Sequence, residues 1–244
     1  MLSFLKSKKP SEPFSLAFLQ TDLHSHLLPG IDDGAPDIQR SLDMAAAYVR
    51  AGITKVIATP HARAAYFQNR PEGIEATRKT LAAAISEKFP EFELGASAEY
   101  FADEYLLEAL ENNAVLPIAN KYILFEQSLR RDAGDLMLYV EKIQEKGYTP
   151  LLAHPERYRY WHEDLNKFRE LKRVGVLFQL NLLSLTGFYG NTEKKLAERL
   201  LDYDSIDALG TDAHHLSQFD KLAELPKSPY WNVLQEIGIL NKLI

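Results

Sequence analysis

Apolar segments of strand length alternate with amphipathic segments of helix length along most of this chain. Residues 55–59 and 150–153 are examples of the apolar kind, and 36–52 has apolar residues at the three- and four-residue spacing of a helix. About seven such pairs can be traced between residues 18 and 238. Strands alternating with helices indicate a parallel arrangement. We therefore expect an α/β fold built on a parallel sheet or barrel.

The domain organisation is expected to be simple. We find no linker or low-complexity segment, and 244 residues suit one large α/β unit. Residues 1–10 carry lysines, but no apolar core of signal-peptide length follows them. We predict a disordered or loosely attached tail over residues 1–17 and a single catalytic domain over 18–244.

Composition excludes several function classes. The net charge of -6 and the pI near 5.7 argue against binding to nucleic acid, which needs a basic surface, and against attachment to an anionic membrane. No apolar stretch approaches the ~20 residues of a membrane span. We expect a cytoplasmic protein with no membrane insertion. The absence of cysteine removes thiol nucleophiles and thiolate zinc sites, and the serine-hydrolase and P-loop motifs are missing too.

Histidine and acidic residues collect where the apolar segments end. His24 and His26 stand two apart in a short apolar segment, so on a strand both imidazoles point to the same side. In parallel α/β folds, the loops at the carboxyl ends of strands carry the functional groups. The other polar residues at or just beyond segment ends are His61, Glu99, Glu126, His154, Asn181, Asp212 and His214.

Each of these residues taken alone has an ordinary structural explanation. His61 or His154 could be a hydrogen-bonded core residue, and Glu99 or Glu126 could form a surface ion pair. Their collection at one edge favours a site, because so many carboxylates could not be packed together without cations. Imidazole and carboxylate groups in this number suit two or three metal ions.

Several divalent ions in such a setting indicate hydrolysis of a phosphate ester. A cation should then help to hold the phosphate, and Arg157 follows His154 by three residues. The planar fork of an arginine matches two phosphate oxygens at once. We predict that Arg157 binds phosphate, with a solvated loop arginine as the alternative.

Several motifs together resemble a known family. They are Asp22-Leu-His-Ser-His26 with Asp32-Asp33-Gly34, Ala58-Thr-Pro-His61, Ala98-Glu99, Leu124-Phe-Glu126, Ala153-His-Pro-Glu-Arg157 and Thr211-Asp-Ala-His214. In combination and order they are similar to the PHP (polymerase and histidinol phosphatase) superfamily. More narrowly, they resemble the manganese-dependent tyrosine-protein phosphatases of bacterial capsule and exopolysaccharide loci. The resemblance implies a distorted seven-stranded parallel β/α barrel, similar to a TIM barrel, with a trinuclear metal site.

The resemblance also implies a set of metal ligands, in which Glu99 is expected to bridge. The ligands are His24, His26, Asp33, His61, Glu99, Glu126, His154, Asp212 and His214. They would hold two or three divalent ions, manganese being expected and iron or zinc being alternatives. How the ligands divide among the ions is left open.

Arg157 matches the phosphate-binding arginine of that family. A second arginine is expected five residues after His214, where this chain has Phe219. Lys221 or His215 is the predicted substitute. The mechanistic hypothesis is that a metal-bridged hydroxide attacks phosphorus while Arg157 and the ions neutralise the equatorial oxygens.

Asp33 and His214 are the other predicted catalytic residues. The implied substrate is a phosphotyrosine protein, the tyrosine-rich tail of a polysaccharide-export autokinase, whose phenol leaves with little protonation help. Charged and aromatic residues in the nearby loops are predicted to meet the peptide, with ordinary packing as the alternative for the aromatic ones. They are Arg63, Arg130, Arg131, Tyr66, Phe67, Tyr158, Tyr160 and Trp161.

Other functions on the same fold stay open at this point. The nearest is a small-molecule phosphatase of the histidinol-phosphate type. A nuclease fits the acidic composition less well. A different class is a catalytically silent module that binds metal without doing chemistry.

Overall fold

The computed structural model of the protein describes residues 14–132, 134–237 and 240–244. Most of the predicted tail, residues 1–13, lies outside the described residues. Its last part does not behave as a loose segment, because Leu16 is fully buried and its main-chain N–H donates to the carbonyl of Ala51 at 2.7 Å. Phe14 packs near Trp231, with 6.4 Å between the ring centroids. The packed part of the chain therefore already includes residues 14–17.

All strand pairing within the described residues is parallel. The strands are β1 (Thr21–Asp22), β2 (Lys55–Ala58), β3 (His61–Ala62), β4 (Glu93–Ala96), β5 (Glu99–Phe101), β6 (Tyr122–Glu126), β7 (Thr149–Ala153), β8 (Leu177–Asn181) and β9 (Ala208–Gly210). The predicted α/β class with parallel strands is confirmed.

Helices separate most of these strands along the sequence, as predicted. They are α1 (Ile38–Arg50), α2 (Pro71–Ser86), α3 (Glu104–Glu111), α4 (Leu136–Glu145), α5 (Leu165–Arg173), α6 (Leu182–Leu185), α7 (Asn191–Asp202), α8 (Ser217–Leu222) and α9 (Trp231–Glu236). Short 3₁₀ turns occur at Ala17–Leu19, Pro155–Arg157, Arg159–Trp161, Leu225–Lys227 and Leu240–Lys242. Local chemistry sets the ends of α1: Asp37 accepts from the N–H of Arg40 at 2.8 Å, and Gly52 at φ +81° follows its last turn.

The strands form two sheets, where the sequence predicted one seven-stranded barrel. One sheet has the order β1-β2-β4, and the other is a curled six-stranded sheet with the order β3-β5-β6-β7-β8-β9. The two sheets share two chain segments, since β2 leads into β3 past Pro60 and β4 leads into β5 past Ser97. Proline has no N–H to donate, which accounts for a break in pairing at that point.

Strands β1 and β9 also approach each other beyond their paired residues. Ser25 and Ala213 form a parallel bridge, and the N–H of His26 donates to the carbonyl of Ala213 at 3.0 Å. The N–H of Asp212 donates to the carbonyl of His24 at 2.8 Å. The first and last strands therefore bring their polar extensions together at one place.

Two apolar clusters hold the sheets in this shape. The inner cluster consists of Leu23, Ile57, Ile118, Leu124, Leu151, Ala153 and Ala208, all buried, and Leu240 and Ile244 pack against it. The larger cluster lies between the strands and the surrounding helices. Strands buried on both faces explain why β6, β7 and β8 are almost continuously apolar. No helix in the described ranges has both the length and the apolar character needed to cross a membrane.

Candidate metal centre

His24 and His26 extend β1 at its carboxyl end, and both side chains are fully buried. Their Nε2 atoms lie 3.3 Å apart and point toward the same region, as predicted from their two-residue spacing. The loop that follows folds back so tightly that a Cβ on Gly34 would lie 2.2 Å from the carbonyl oxygen of His26. The same loop places Asp33 in one group of candidate ligands with His26.

The outward-facing nitrogens of these two histidines are occupied by side chains. Nδ1 of His24 lies 2.7 Å from Oε1 of Gln179, and Nδ1 of His26 lies 2.7 Å from Oδ2 of Asp32. Both partners accept, so each Nδ1 carries a proton, and in the neutral imidazole that binds a metal Nε2 has the free lone pair. Such partners fix the ring orientation and tautomer that a metal ligand needs.

The predicted ligands lie together in four overlapping groups. The groups are His26, Asp33, His61 and His214; His24, Glu99 and His154; His24, His26 and Asp212; and His61, Glu99 and Glu126. Within each group the candidate ligand atoms all lie within 4.8 Å of one another. All nine predicted metal ligands belong to at least one group.

Glu99 occupies the centre of this cluster. Its Oε2 lies 3.0 Å from Nδ1 of His61 and 3.3 Å from Nε2 of His24, while its Oε1 lies 3.0 Å from Nε2 of His154. The second shared carboxylate is Asp212, whose Oδ1 lies 3.4 Å from His24 and 3.3 Å from His26. A carboxylate with neighbours on both oxygens has the arrangement of a bridging ligand.

The electrostatics of the cluster indicate that cations belong in it. Although burial alone disfavours a charged imidazole, the neighbouring carboxylates Glu99 and Asp212 raise the pKa of His24 to about 9. Burial and the nearby Glu99 raise the pKa of Glu126 to about 7. Oε2 of Glu99 and Nδ1 of His61 are buried, and although they lie 3.0 Å apart, neither atom makes a hydrogen bond. Buried carboxylates, and ligand atoms without hydrogen-bond partners, are suited to binding divalent ions.

The backbone at two of these residues is unusual. His154 has φ of +35° and Asp212 has φ of +50°, in the left-handed region that residues other than glycine rarely adopt. His154 is further set apart by its pKa, which burial and the nearby Arg157 lower to about 4. Its imidazole is therefore neutral at physiological pH, as ligation requires. Such strained conformations concentrate at functional sites.

Arg157 lies beside the cluster, on the 3₁₀ turn after β7. Its Nη1 donates to Oδ2 of Asp212 at 2.9 Å, and its guanidinium lies 4.2 Å from the ring centroid of Tyr189. The amide of Asn181 donates to the same oxygen of Asp212 at 2.8 Å. The guanidinium is thus held between a carboxylate and an aromatic face, with its remaining donors directed into a cavity.

That cavity has a volume of about 530 Å³ and opens over the predicted ligands. Its floor is formed by Asp33, His61, Glu99, Glu126, His154, Asp212 and His214. Three arginines, Arg63, Arg130 and Arg157, line its walls together with Tyr66, Phe101 and Leu129. An opening floored by carboxylate and imidazole groups and walled by guanidinium and aromatic groups can hold an aryl phosphate.

The two predicted substitutes for a second phosphate arginine do not line this cavity. His215 lines a different cavity with Pro36 and Ser217, and Lys221 forms an exposed ion pair with Glu224 at 3.5 Å. Phe219, where the family pattern has arginine, is buried and packs edge-on against Tyr48 with 4.8 Å between ring centroids. The side chain of residue 219 on α8 therefore lies in the core.

The predicted peptide-contact residues separate into three sets. Arg63, Arg130 and Tyr66 line the cavity, and Tyr66 is 77% exposed. Tyr158 and Trp161 are buried and pack with 5.1 Å between ring centroids, so for them ordinary packing is correct. The third set is mixed. Phe67 stacks on His61 with 5.9 Å between the ring centroids, and Tyr160 lines a second cavity next to the first. Arg131 is exposed and lines neither cavity.

Sequence reasoning missed the residues that orient the site. Gln179 lies inside β8, two residues before the strand-end Asn181, and the strand alternation that placed His24 could have assigned both side chains to one face. Tyr189 lies in a loop 32 residues after Arg157, and no sequence pattern connects the two. These contacts depend on tertiary structure.

Comparisons with known proteins agree with this arrangement. The family model described as "Capsular polysaccharide synthesis, CpsB/CapC" matches residues 20–224. The tyrosine-protein phosphatase YwqE of Bacillus subtilis is 33% identical over 199 residues, which span 80% of this chain and 77% of YwqE. The tyrosine-protein phosphatase CpsB of Streptococcus pneumoniae is 28% identical over 202 residues, 80% of this chain and 83% of CpsB.

A solved structure is also similar. It comes from the crystal structures of YwqE from Bacillus subtilis and CpsB from Streptococcus pneumoniae, described as unique metal-dependent tyrosine phosphatases. The TM-score is 0.79 at 27% sequence identity, and the match covers 88% of this chain and 89% of that chain. The family resemblance predicted from the motifs is confirmed by these matches.

Proposed function

Because the chain belongs to the CpsB/CapC family of capsular polysaccharide synthesis, we propose that it is a metal-dependent protein-tyrosine phosphatase. The observation that carries this conclusion is the clustering of nine candidate metal-ligand side chains, seven of which line a single cavity together with Arg157. The relatives named as tyrosine-protein phosphatases match about four-fifths of the chain, and the residues matched by the family model, 20–224, include the whole cluster.

The two sheets are proposed to be parts of one distorted seven-stranded barrel. Support comes from the segments that continue from β2 into β3 and from β4 into β5, and from the bridge between Ser25 and Ala213. Counted by segment, the strands then number about seven, each followed by polar residues at its carboxyl end, the functional end of such barrels. Residues 18–244 would form the single catalytic domain.

The nine side chains would hold two or three divalent ions, manganese being the proposed metal. Of the overlapping groups, His26, Asp33, His61 and His214 would hold one ion, and the groups that contain His24 or Glu99 would hold the others. Divalent ions supply activation of water and charge neutralisation for phosphoryl transfer. Imidazole with carboxylate is a ligand set that manganese, iron and zinc all accept.

Two side chains of the protein, Arg157 and Asp33, are proposed to act on the phosphate and the attacking water. Arg157 would bind the equatorial phosphoryl oxygens with the donors that Asp212 leaves free. Asp33 is the ligand open to the cavity, with 58% of its side chain exposed, and its Oδ1 lies 3.5 Å from Nε2 of both His61 and His214. Hydrogen bonding to His214 lowers the pKa of Asp33, so its carboxylate stays ionised and can accept a hydrogen bond from the attacking water.

The walls of the cavity suit an aromatic phosphate ester. Phe101, Tyr66 and Leu129 would flank the phenyl ring while the phosphate reaches the floor. Tyrosine leaves with little protonation help because its phenol has a pKa near 10. The names of the relatives support a phosphotyrosine protein as substrate. The narrower proposal, the tyrosine-rich tail of a polysaccharide-export autokinase, comes from the family resemblance. The predicted cytoplasmic location stays a prediction.

Phosphate release from a tyrosine-phosphorylated peptide tests this function. Chelator-treated protein is assayed with and without manganese, and histidinol phosphate serves as the control substrate. Manganese-restored turnover of the peptide well above that of the control is expected. Turnover of the control alone would instead indicate a small-molecule phosphatase, and bound metal with no turnover of either would indicate a silent metal-binding module.

A further inference from the structure

The cavity contains two guanidinium groups that the mechanism above does not use, those of Arg63 and Arg130, and Arg63 is the one that follows a predicted metal ligand, His61, by two residues. Arg63 lines the same cavity as Arg157 but enters from a different strand. In the six-stranded sheet Arg63 follows β3, whereas Arg157 follows β7, and β5 and β6 lie between them. The two arginines therefore reach the cavity from separate sides.

Strand register places Arg63 close to the metal ligands. His61 pairs with Glu99 and Ala62 with Tyr100, so the next residue, Arg63, comes opposite Phe101. Residues two apart on a strand share a face, which puts Arg63 on the same face as His61, about 7 Å further along. Phe101 in turn pairs with Glu126.

Glu126 shows that a side chain from this row reaches the cluster. Its Oε1 lies 3.4 Å from Nδ1 of His61. Arg63 stands in the same row across two strands and has a longer side chain. Its guanidinium can therefore approach whatever occupies the space above His61 and Glu126.

The surroundings of Arg63 hold the guanidinium without neutralising it. Its Cζ lies 4.5 Å from the ring centroid of Phe101 and 5.4 Å from that of Tyr66. Its Nε is buried and has no hydrogen-bond partner. Arg157 pairs with Asp212 and Arg159 with Glu193, whereas Arg63 forms no ion pair with any residue of the described ranges. A stacked, uncompensated guanidinium facing a cavity is a recognition element for an anion.

From these contacts we infer that Arg63 is a substrate-binding residue that donates to the phosphoryl group from the side of the cavity opposite Arg157. A phosphate monoester presents three terminal oxygens, and Arg157 has already committed one donor to Asp212. The guanidinium of Arg63 supplies further hydrogen-bond donors for the phosphoryl oxygens. This inference rests on the proposed phosphatase activity, and it assigns to Arg63 the role for which the sequence suggested Lys221 or His215.

The test compares Arg63→Ala and Arg63→Lys with Arg173→Ala, which removes an exposed arginine on α5 remote from the cavity. Binding of inorganic phosphate to the manganese-loaded protein is measured by calorimetry, and metal content and melting temperature are recorded for each variant. Loss of a hydrogen bond to a charged group predicts about 10- to 100-fold weaker phosphate binding in Arg63→Ala. Arg63→Lys should recover part of the loss, because the charge stays and the fork is lost. Arg173→Ala should match the unaltered protein.

Steady-state kinetics separate phosphate binding from peptide binding. In Arg63→Ala, KM should rise for a phosphotyrosine peptide and for p-nitrophenyl phosphate alike, since both carry the phosphate. A rise for the peptide alone, with phosphate affinity unchanged, would overturn the inference. Lost metal or a lowered melting temperature in both Arg63 variants would overturn it too, by indicating a structural role. If the unaltered protein hydrolyses neither substrate, the proposed function fails, and calorimetry still decides the role of Arg63.

Discussion

At the scale of single residues, the centre depends on side chains behind the ligands. Gln179 holds Nδ1 of His24 at 2.7 Å and its own amide donates to the carbonyl of Leu180 at 2.8 Å. The glutamine is fully buried, so its orientation is fixed on both ends. Partners of this kind set the tautomer and direction of the ligating nitrogen.

Gln179→Leu should therefore weaken metal binding by about 10- to 100-fold, because the His24 ring would lose the acceptor that orients it. Manganese titration followed by calorimetry measures this loss. Gln144→Leu is the matched control, since Gln144 makes an exposed hydrogen bond to Val174 remote from the centre. Equal manganese affinity in the Gln179 variant and the control would show that Gln179 does not position His24.

A glycine sets the position of the Asp32-Asp33 loop. A Cβ at Gly34 would lie 2.2 Å from the carbonyl oxygen of His26, and the main chain cannot yield there without moving the loop. Gly34→Ala should lower manganese affinity and turnover together, because Asp33 would be displaced from His61 and His214. Metal content after gel filtration and kcat with a phosphotyrosine peptide are the measurements.

The control for this change is Gly73→Ala in α2, where a Cβ would meet no atom within 4 Å. Alanine in a helix is favoured over glycine by about 0.5–1 kcal/mol, so this variant should be as stable as the unaltered protein or slightly more so. A Gly34 variant with normal manganese affinity would contradict the proposed restraint on Asp33.

The candidate site shows which residues a sequence can reveal. Eight of the nine predicted ligands have a suitable chemical type and stand at or just beyond strand ends, whereas Asp33 and the full ligand set come from the family resemblance; the structure brings all nine together. Arg63 was predicted only as a peptide contact, because its part in the cavity depends on register with Phe101. The substitutes chosen near residue 219 do not line the cavity, because α8 turns its Phe219 into the core.

At the scale of elements, β1 and β9 are joined by a buried polar network centred on Tyr48 of α1. Its hydroxyl lies 2.8 Å from Oγ of Ser25 and 2.8 Å from Oγ1 of Thr211, and Thr211 donates to Asp22 at 2.6 Å. All these side chains are buried. A buried network in which every polar group is hydrogen-bonded fixes how the strands and the helix pack together. A buried polar group that loses its partner lowers the stability of the fold.

Tyr48→Phe should therefore lower the free energy of unfolding by about 1–3 kcal/mol, because buried hydroxyls lose a partner. Urea unfolding measures the change, and Tyr203→Phe, on a 54% exposed tyrosine, is the matched control. The kcat of the folded variant should be unchanged, since Tyr48 does not line the cavity. Equal stability of the two variants would show that the network does not hold these strands.

Periodicity predicted the long elements well and the short ones poorly. Helix α1 and the apolar strands β2 and β7 lie within a few residues of the predicted segments 36–52, 55–59 and 150–153, because each is long enough to show its pattern. The two-residue strand β3 and the four-residue helix α6 are too short for any period. The division into two sheets depends on Pro60 and on strand curvature, which periodicity does not describe.

At the scale of the whole molecule, the site is charged and enclosed by the strands. Glu99, Asp212 and His24 are fully or almost fully buried where the extensions of β1, β5 and β9 meet. In the metal-free protein the cluster depends on protonated imidazoles, as the raised pKa of His24 indicates. Metal binding should then stabilise the entire fold, because the ligands come from strands that span the sequence.

Manganese should raise the melting temperature of chelator-treated protein. A ligand at 100 times its dissociation constant contributes about 2.7 kcal/mol, and each kcal/mol raises the melting temperature of a protein of this size by about 2–4 °C. The melting temperature is therefore expected to rise by about 5–11 °C for each metal site when manganese is at 100 times its dissociation constant. Calorimetric scans with increasing manganese measure this rise. Arg157→Ala should show a similar increase, since Arg157 is proposed to bind phosphate and the amide of Asn181 still donates to Asp212 in its absence, whereas Glu99→Gln should show a much smaller one. An equal increase in Glu99→Gln would mean that manganese stabilises the protein from some place other than this cluster.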